Sequence, residues 1–176
     1  MTASEVFEAV TGSGSSDLAL VVRILNKHAP WCLIGGLAVN CYVEPVFTLD
    51  ADLVVVSTEL EEIKSELAKA GFSLQEFPHS LNATMKGSEL RIQFSLDPRY
   101  QEFLRDTETK NVLGEKVQVA SLANIALGKI WAWSDQARRP TKRKKDELDL
   151  MRILEACPEL RDMMPQEIRD QLPEAG

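Results

Sequence analysis

Long apolar runs are missing from this 176-residue chain. None approaches the ~20 residues needed to cross a bilayer, which excludes a transmembrane helix. The start offers no charged head followed by an apolar stretch, so no signal peptide is read. Cysteine is scarce: Cys32, Cys41 and Cys157 are odd in number and show no CxxC spacing. That excludes a disulfide framework and reads as buried thiols in a reducing compartment. Neither His28 nor His79 has a cysteine or an acid at ligand spacing, which argues against a zinc site. GxSxG, Walker A and GxGxxG sequences are absent, as are internal repeats and low-complexity segments. Positive charge is in deficit, with a formal net charge of -7, so the chain does not coat nucleic acid by charge alone. The expectation is a cytoplasmic domain with no membrane partner.

What is present is enough apolar residue, 44% of the chain, to bury one core with a helical appendage. Thr11 to Ser16 reads as a flexible break after a short leader helix. Asp17 then caps a helix whose apolar stripe is Leu18, Val21, Val22 and Leu25. Trp31–Ile34 reads as a buried strand ending at Gly35-Gly36, and a helix over 37–43 follows, stopped before Pro45. Leu49–Val56 is the best strand, closed by Ser57-Thr58. The next helix carries Leu60, Ile63 and Leu67 and ends at Gly71. Short strands are expected over 72–77, 81–86 and 89–96, a helix over 98–106 and an irregular hairpin over 111–119 around Gly114. Helices over 121–137 and 142–156 finish the core, and the tail from Pro158 frays.

Two acids carry the chemical signal. Side chains on a strand alternate with period two, so Asp50 and Asp52 share a face, about 6.5–7 Å apart along the strand, with Thr48 two residues before them. That spacing lets both carboxylates grip one divalent ion or bracket two, and a hard cation removes their mutual repulsion. Gly35-Gly36, between a strand and a helix, lets backbone N–H groups approach a phosphate. On the 121–137 helix, Lys129 lies on the stripe of Leu122, Ile125, Ala126, Ile130 and Trp133, where a lysine either snorkels out or serves a site. Asp146 and Asp149 continue the stripe of Leu150, Ile153, Leu154 and Cys157, so they face inwards. Six of the eight residues from Arg138 to Lys145 are basic, a solvated helix end or a patch for phosphates. Trp131 and Trp133 read as packing residues.

Gly35-Gly36 followed by Thr48-Leu49-Asp50-Ala51-Asp52-Leu53 resembles the signature of the DNA polymerase β-like nucleotidyltransferase superfamily. The run from Val119 through Gly128-Lys129-Ile130-Trp131-Ala132, then Arg138-Arg139, Lys142 to Asp146 and Asp149-Leu150, is similar to the AbiEii/AbiGii toxin-type nucleotidyltransferases. The resemblance covers roughly residues 17–156. It implies an α+β fold, a mixed sheet flanked by helices, with Mg²⁺ (or Mn²⁺) and an NTP in the cleft. It makes Asp50 and Asp52 metal ligands and catalytic acids. Gly35, Gly36 and Thr48 fall on the nucleotide side, and Lys129, also in the catalytic set, contacts phosphate. Lys145, Asp146 and Asp149 fill the toxin-type C-terminal motif, with Lys145 on nucleotide and Asp146 in the catalytic set. The chain divides into a leader over 1–16, the nucleotidyltransferase-like domain over 17–157 with its helices over 121–156, and a tail over 158–176.

One position departs from the superfamily pattern: Gln93 stands where a third carboxylate is expected, and Asp97 compensates only if the strand bends at Pro98. The expected activity is transfer of a nucleoside monophosphate from NTP to an acceptor: RNA such as tRNA, a protein side chain or a small molecule. The basic run tilts the reading towards RNA. The competing reading, favoured by Gln93, is a weak or inactive nucleotidyltransferase-like module that binds nucleotide or an antitoxin-like protein.

Overall fold

The valine-rich run forms the central strand β2 (Asp50–Val55) of the computed structural model, which describes Phe7 and residues 10–172. The chain runs α1 (Gly14–Leu25), β1 (Trp31–Ile34), α2 (Gly35–Val39), β2, α3 (Leu60–Lys69), β3 (Ser73–Phe77), β4 (Ser80–Thr84) and β5 (Arg91–Ser95). Then come β6 (Thr107–Val112), β7 (Glu115–Ala120), α4 (Leu122–Ser134), α5 (Pro140–Ala156) and α6 (Gln166–Gln171). Short 3₁₀ segments occupy Ser57–Glu59, Pro98–Arg105 and Pro158–Met163. The strands make one mixed sheet of seven, in the order β3-β4-β5-β2-β1-β7-β6. β2 pairs antiparallel with β1 and parallel with β5, and β1 pairs parallel with β7.

Register sorts the two faces. Leu33, Leu53, Phe94 and Leu81 lie in line across the sheet, as do Ala51, Ile92 and Ala83, and all are buried. Leu18, Val21 and Leu25 of α1 and Ile63 and Leu67 of α3 join this core. The other face carries Asp50 and Asp52, with Arg91 and Gln93 beside them on β5. Just past the acids β2 is buried throughout, at Leu53, Val54 and Val55. There Gln101 of the 3₁₀ segment donates to the carbonyl of Val55 and accepts from the N–H of Ser57.

Several boundaries differ from expectation. Thr11 to Ser16 is no flexible break, because α1 already starts at Gly14 and Thr11 is buried. The Thr11 hydroxyl donates to the carbonyl of Phe7 and accepts from the N–H of Gly14, while Glu89 N–H donates to Thr11 O at 2.7 Å. The start of α1 is thereby stitched to the β4–β5 turn, and Asp17 sits inside the first turn rather than capping it. The rest of the leader helix lies outside the described residues. The 111–119 segment is a regular hairpin: Val112 pairs with Glu115 across Leu113-Gly114, both at positive φ, the two-residue turn whose twist matches antiparallel strands. Residues 98–105 are helical as expected, wound as 3₁₀. The tail does not fray from Pro158: Met164 and Ile168 are buried, and Arg161 donates to the carbonyl of Leu172 at 2.6 Å.

Candidate active site

Gly35 sets the geometry of the cleft. Its φ of +72° lies in the left-handed region, and a Cβ there would collide with the Asp52 carboxylate. β1 can therefore turn into α2 directly beneath Asp52 only with glycine at this position. Gly36 is different, since a Cβ there meets Asp149 Oδ2 at 3.7 Å and Thr48 Oγ1 at 3.9 Å, ordinary contacts. The glycine pair expected to act together thus splits into one residue the fold requires and one it does not.

Asp50 and Asp52 share the cleft face, as period-two spacing predicts. Both oxygens of Asp50 are taken by cations: Oδ1 accepts from Arg91 Nε at 2.7 Å and Oδ2 from Lys142 Nζ at 2.9 Å. Its N–H donates to Thr48 Oγ1. Burial by itself would raise the pKa of Asp50, but Lys142 and then Arg91 outweigh it and hold the carboxyl below its ordinary value. Asp52 has no such close partner. Burial pushes its pKa up to about 6, with Lys129 opposing and the charge of Asp50 adding to the rise.

A buried ionic chain stands across from this pair. Lys129 Nζ lies 3.0 Å from Asp146 Oδ1 and 2.7 Å from Asp149 Oδ2. Asp146 also accepts from Arg138 Nε at 2.6 Å, and Asp149 from Arg152 at 2.6 Å. Asp146 is only 1% exposed, so the inward orientation expected from its stripe is observed. Burial alone would lower the pKa of Lys129, but Asp149 and Asp146 reverse this and hold the ammonium above the ordinary lysine value. Gly128 lets the 3₁₀ segment close on α4, with Tyr100 and Phe103 at 3.0 and 3.3 Å from where its Cβ would be. Tyr100, Phe103 and Trp131 then form one aromatic cluster, so Trp131 packs as expected.

The cleft has two lobes sharing Asp52, Gln93, Lys129, Arg138 and Asp146. One, of about 110 Å³, is closed by Ile34, Ser95, Tyr100, Phe103 and Gly128. The other, of about 270 Å³, is walled by Gly36, Thr48, Asp50, Lys142, Lys145 and Arg152. All of the sequence-derived site residues thus line one cleft, Lys145 from an exposed position at its edge. Gln93 is the register partner of Asp52 on β5. Asp97 does not replace the missing carboxylate: it caps the 3₁₀ segment and is bound to Arg99 at 2.7 Å, outside both lobes.

Sequence reasoning gave Arg138 and Lys142 only a place in the basic run, and Arg91 no role. Lys142 was within reach, being one i−4 step before Asp146 on the same helix face; Arg91 was not, because cross-strand register leaves no local pattern. The basic run is not one patch, since Arg138 and Lys142 turn into the cleft while Lys144 pairs with Glu147. His28, in contrast to its sequence neighbourhood, meets acids in space. His28 follows α1; its Nδ1 lies 3.0 Å from Glu59 of the 3₁₀ segment Ser57–Glu59 and its Nε2 2.7 Å from Glu66 of α3, away from this cleft. The three cysteines are unpaired, and burial pushes Cys32 up to about 12 and Cys41 to about 11, which disfavours the thiolate at both.

Known structures share this fold. The lincosamide antibiotic adenylyltransferase LnuA aligns at a TM-score of 0.54 with 11% identity, over 78% of this chain and 96% of that one. ANT(2'')-Ia, solved with adenylyl-2''-tobramycin, aligns at 0.63 with 13% identity, over 90% and 98%. An antigenic nucleotidyltransferase-like protein from Paracoccidioides brasiliensis aligns at 0.58 with 19% identity, over 92% and 87%. No curated protein sequence matches the chain. The family model described as the nucleotidyl transferase AbiEii toxin of a type IV toxin–antitoxin system matches residues 20–174, and the chain belongs to that family of nucleotidyltransferases.

Proposed function

We propose that the protein transfers a nucleoside monophosphate from an NTP to an acceptor hydroxyl, with Mg²⁺ or Mn²⁺ bound at Asp50 and Asp52. The observation that carries this reading is the meeting of two carboxylates and several cations in one cleft, from segments far apart in the chain. The donor set fits a hard divalent ion: two carboxylates on one strand face, with Asp52 lacking a close cationic partner and its charge disfavoured. Such an ion, when bound, would neutralise triphosphate charge and order its oxygens.

The side chains divide the remaining work. The acceptor oxygen bonds to the α-phosphorus as the α–β bridging bond breaks, and pyrophosphate leaves. Lys142 and Lys145 stabilise the negative charge of the triphosphate and leaving group from the larger lobe. Lys129 approaches from the shared floor. Asp146 positions it and Arg138. Gly36 and Thr48 leave room for phosphate where any longer side chain would intrude. Gln93 orients the acceptor hydroxyl by hydrogen bonding but takes no proton, which passes to solvent or a phosphate oxygen.

For the acceptor we favour RNA, tRNA among its forms, because Arg139, Lys144 and Lys145 remain exposed near the start of α5. A small hydroxylic molecule is the second acceptor reading, favoured by the smaller lobe with Gln93, Ser95 and Tyr100. An antitoxin-like protein partner is proposed from the family description alone, and the cytoplasm is the compartment that supplies NTP. Among the described residues no helix is long and apolar enough to cross a membrane. The test is incubation with each labelled NTP, Mg²⁺ and total RNA, run on a gel beside lincosamide and aminoglycoside acceptors. Label on RNA supports the first acceptor, and label on a drug the second. A non-catalytic nucleotide-binding module is favoured only by Gln93. Gln93→Asp should tighten Mn²⁺ binding and raise transfer. If the parent neither transfers label nor binds any Mg²⁺–NTP at millimolar concentration, and Gln93→Asp changes nothing, the transfer reading is wrong.

A further inference from the structure

Large apolar side chains exposed among the described residues are few: Val10, Val46, Phe47, Phe77 and Leu148. Three of them, Val46, Phe47 and Leu148, line the larger lobe together with Lys142, Lys145 and Arg152. Single exposed apolar residues need no explanation, but their gathering at one cationic cavity does.

Phe47 is held in place although 60% of it is exposed. Asn40 clamps the loop by donating to Val46 O at 2.7 Å and accepting from Val46 N–H at 3.0 Å. Arg152 donates to Asn40 Oδ1 at 2.9 Å and to the carbonyl of Glu44. Phe7 packs beside the ring, with centroids 6.1 Å apart and planes at 47°. A phenyl ring fixed on a clamped backbone, with its open side in a cavity, loses little freedom when a ligand covers it. Leu148 joins it from α5, on the stripe of Lys145, Leu148 and Arg152 at helical spacing.

We infer that Phe47 and Leu148 form the nucleobase contact of the larger lobe, the flat face of the base lying on this apolar pair while Lys142 and Lys145 hold the phosphates of the same NTP. The inference rests on the nucleotidyl-transfer reading and names the residues that hold the base. An NTP joins a flat base, whose faces stack on apolar surface, to a polyanion, and the lobe offers a partner for each. Asn40 and Arg152 are already committed to the loop, so the contact reads the face of the base rather than its edge, as aromatic platforms do.

The experiment compares binding of Mg²⁺–NTP, using whichever of the four NTPs the parent binds best, with Mg²⁺–tripolyphosphate, which has the charge without the base. Isothermal titration is run on the parent and on Phe47→Ala, Phe47→Tyr, Leu148→Ala and Lys145→Ala. Phe47→Ala should weaken NTP about tenfold, and Leu148→Ala in the same direction, with tripolyphosphate unchanged within about twofold. Phe47→Tyr should restore the parent affinity, and Lys145→Ala should weaken both ligands. Unchanged tripolyphosphate binding also shows that the variant has folded. Equal weakening of both ligands by Phe47→Ala, or weakening of neither, overturns the base contact while leaving nucleotidyl transfer intact. A parent that binds neither ligand overturns both.

Discussion

Lys142 Nζ lies 2.9 Å from Asp50 Oδ2 while Arg91 Nε holds Oδ1 at 2.7 Å, so both oxygens of a candidate metal ligand carry a protein cation. A divalent ion ligated by Asp50 competes with both for its oxygens. Lys142→Met should therefore tighten Mn²⁺ binding without nucleotide by two- to fivefold, the scale of a partly exposed ion pair of about 0.5–1 kcal/mol. The same variant should weaken NTP binding. Titration of Mn²⁺ and then of Mn²⁺–NTP reads both signs; weaker Mn²⁺ binding would show that Lys142 does not compete.

The ionic chain on α4 and α5 predicts unequal losses. Lys129→Met leaves Asp146 with Arg138 and Asp149 with Arg152, so both buried acids keep a partner. We expect about 1–2 kcal/mol of lost stability, far less than the loss of transfer. Asp146→Ala strips Lys129 and Arg138 of their common partner at a position only 1% exposed and should cost about 3–5 kcal/mol. Urea unfolding of the two variants beside the parent tests the order.

Protonation of Asp52 gives a pH signature. Its pKa is raised to about 6 in the fold, above the unfolded value, so the native protein binds more protons between pH 4 and 6. Stability from this group therefore falls as pH rises through that window, by on the order of 3 kcal/mol at most. Asp52→Asn should raise Tm at pH 7 and flatten its slope over pH 4–6. Mn²⁺ binding by the parent should weaken below about pH 6, because the ion requires the carboxylate. A parent whose Mn²⁺ affinity is flat from pH 5 to 7 would contradict this assignment.

The two glycines should respond differently to alanine. Gly35→Ala combines a positive φ with a collision against Asp52 and should destabilise by at least about 1–2 kcal/mol. Gly36→Ala meets only ordinary contacts and should fold with unchanged Tm while weakening tripolyphosphate binding. Thermal melts and one titration separate the two.

The acid pair was legible because strand periodicity is local: Asp50 and Asp52 are two residues apart and share a face. Asp146 and Asp149 were legible for the same reason on a helix. What the sequence did not disclose is what crosses between elements. Arg91 meets Asp50 through β2–β5 register, which depends on the whole sheet. Thr11 looked like part of a glycine–serine linker, yet its carbonyl is bound by Glu89 on a distant loop. The 158–172 tail, polar on average, fully buries only Met164 and Ile168 among its apolar residues, too few to mark a pattern.

The pairing of Asp50 with Lys142 spans 92 residues of chain. Synthesis on the ribosome proceeds from the N-terminus, so the acids and the glycine turn emerge long before the cations that face them. Through that interval the half-made cleft holds its carboxylates without Lys129, Lys142 or Arg152. Any activity built on this arrangement begins only when α5 has left the exit tunnel and docked, so the order of synthesis delays it until the cations reach the acids.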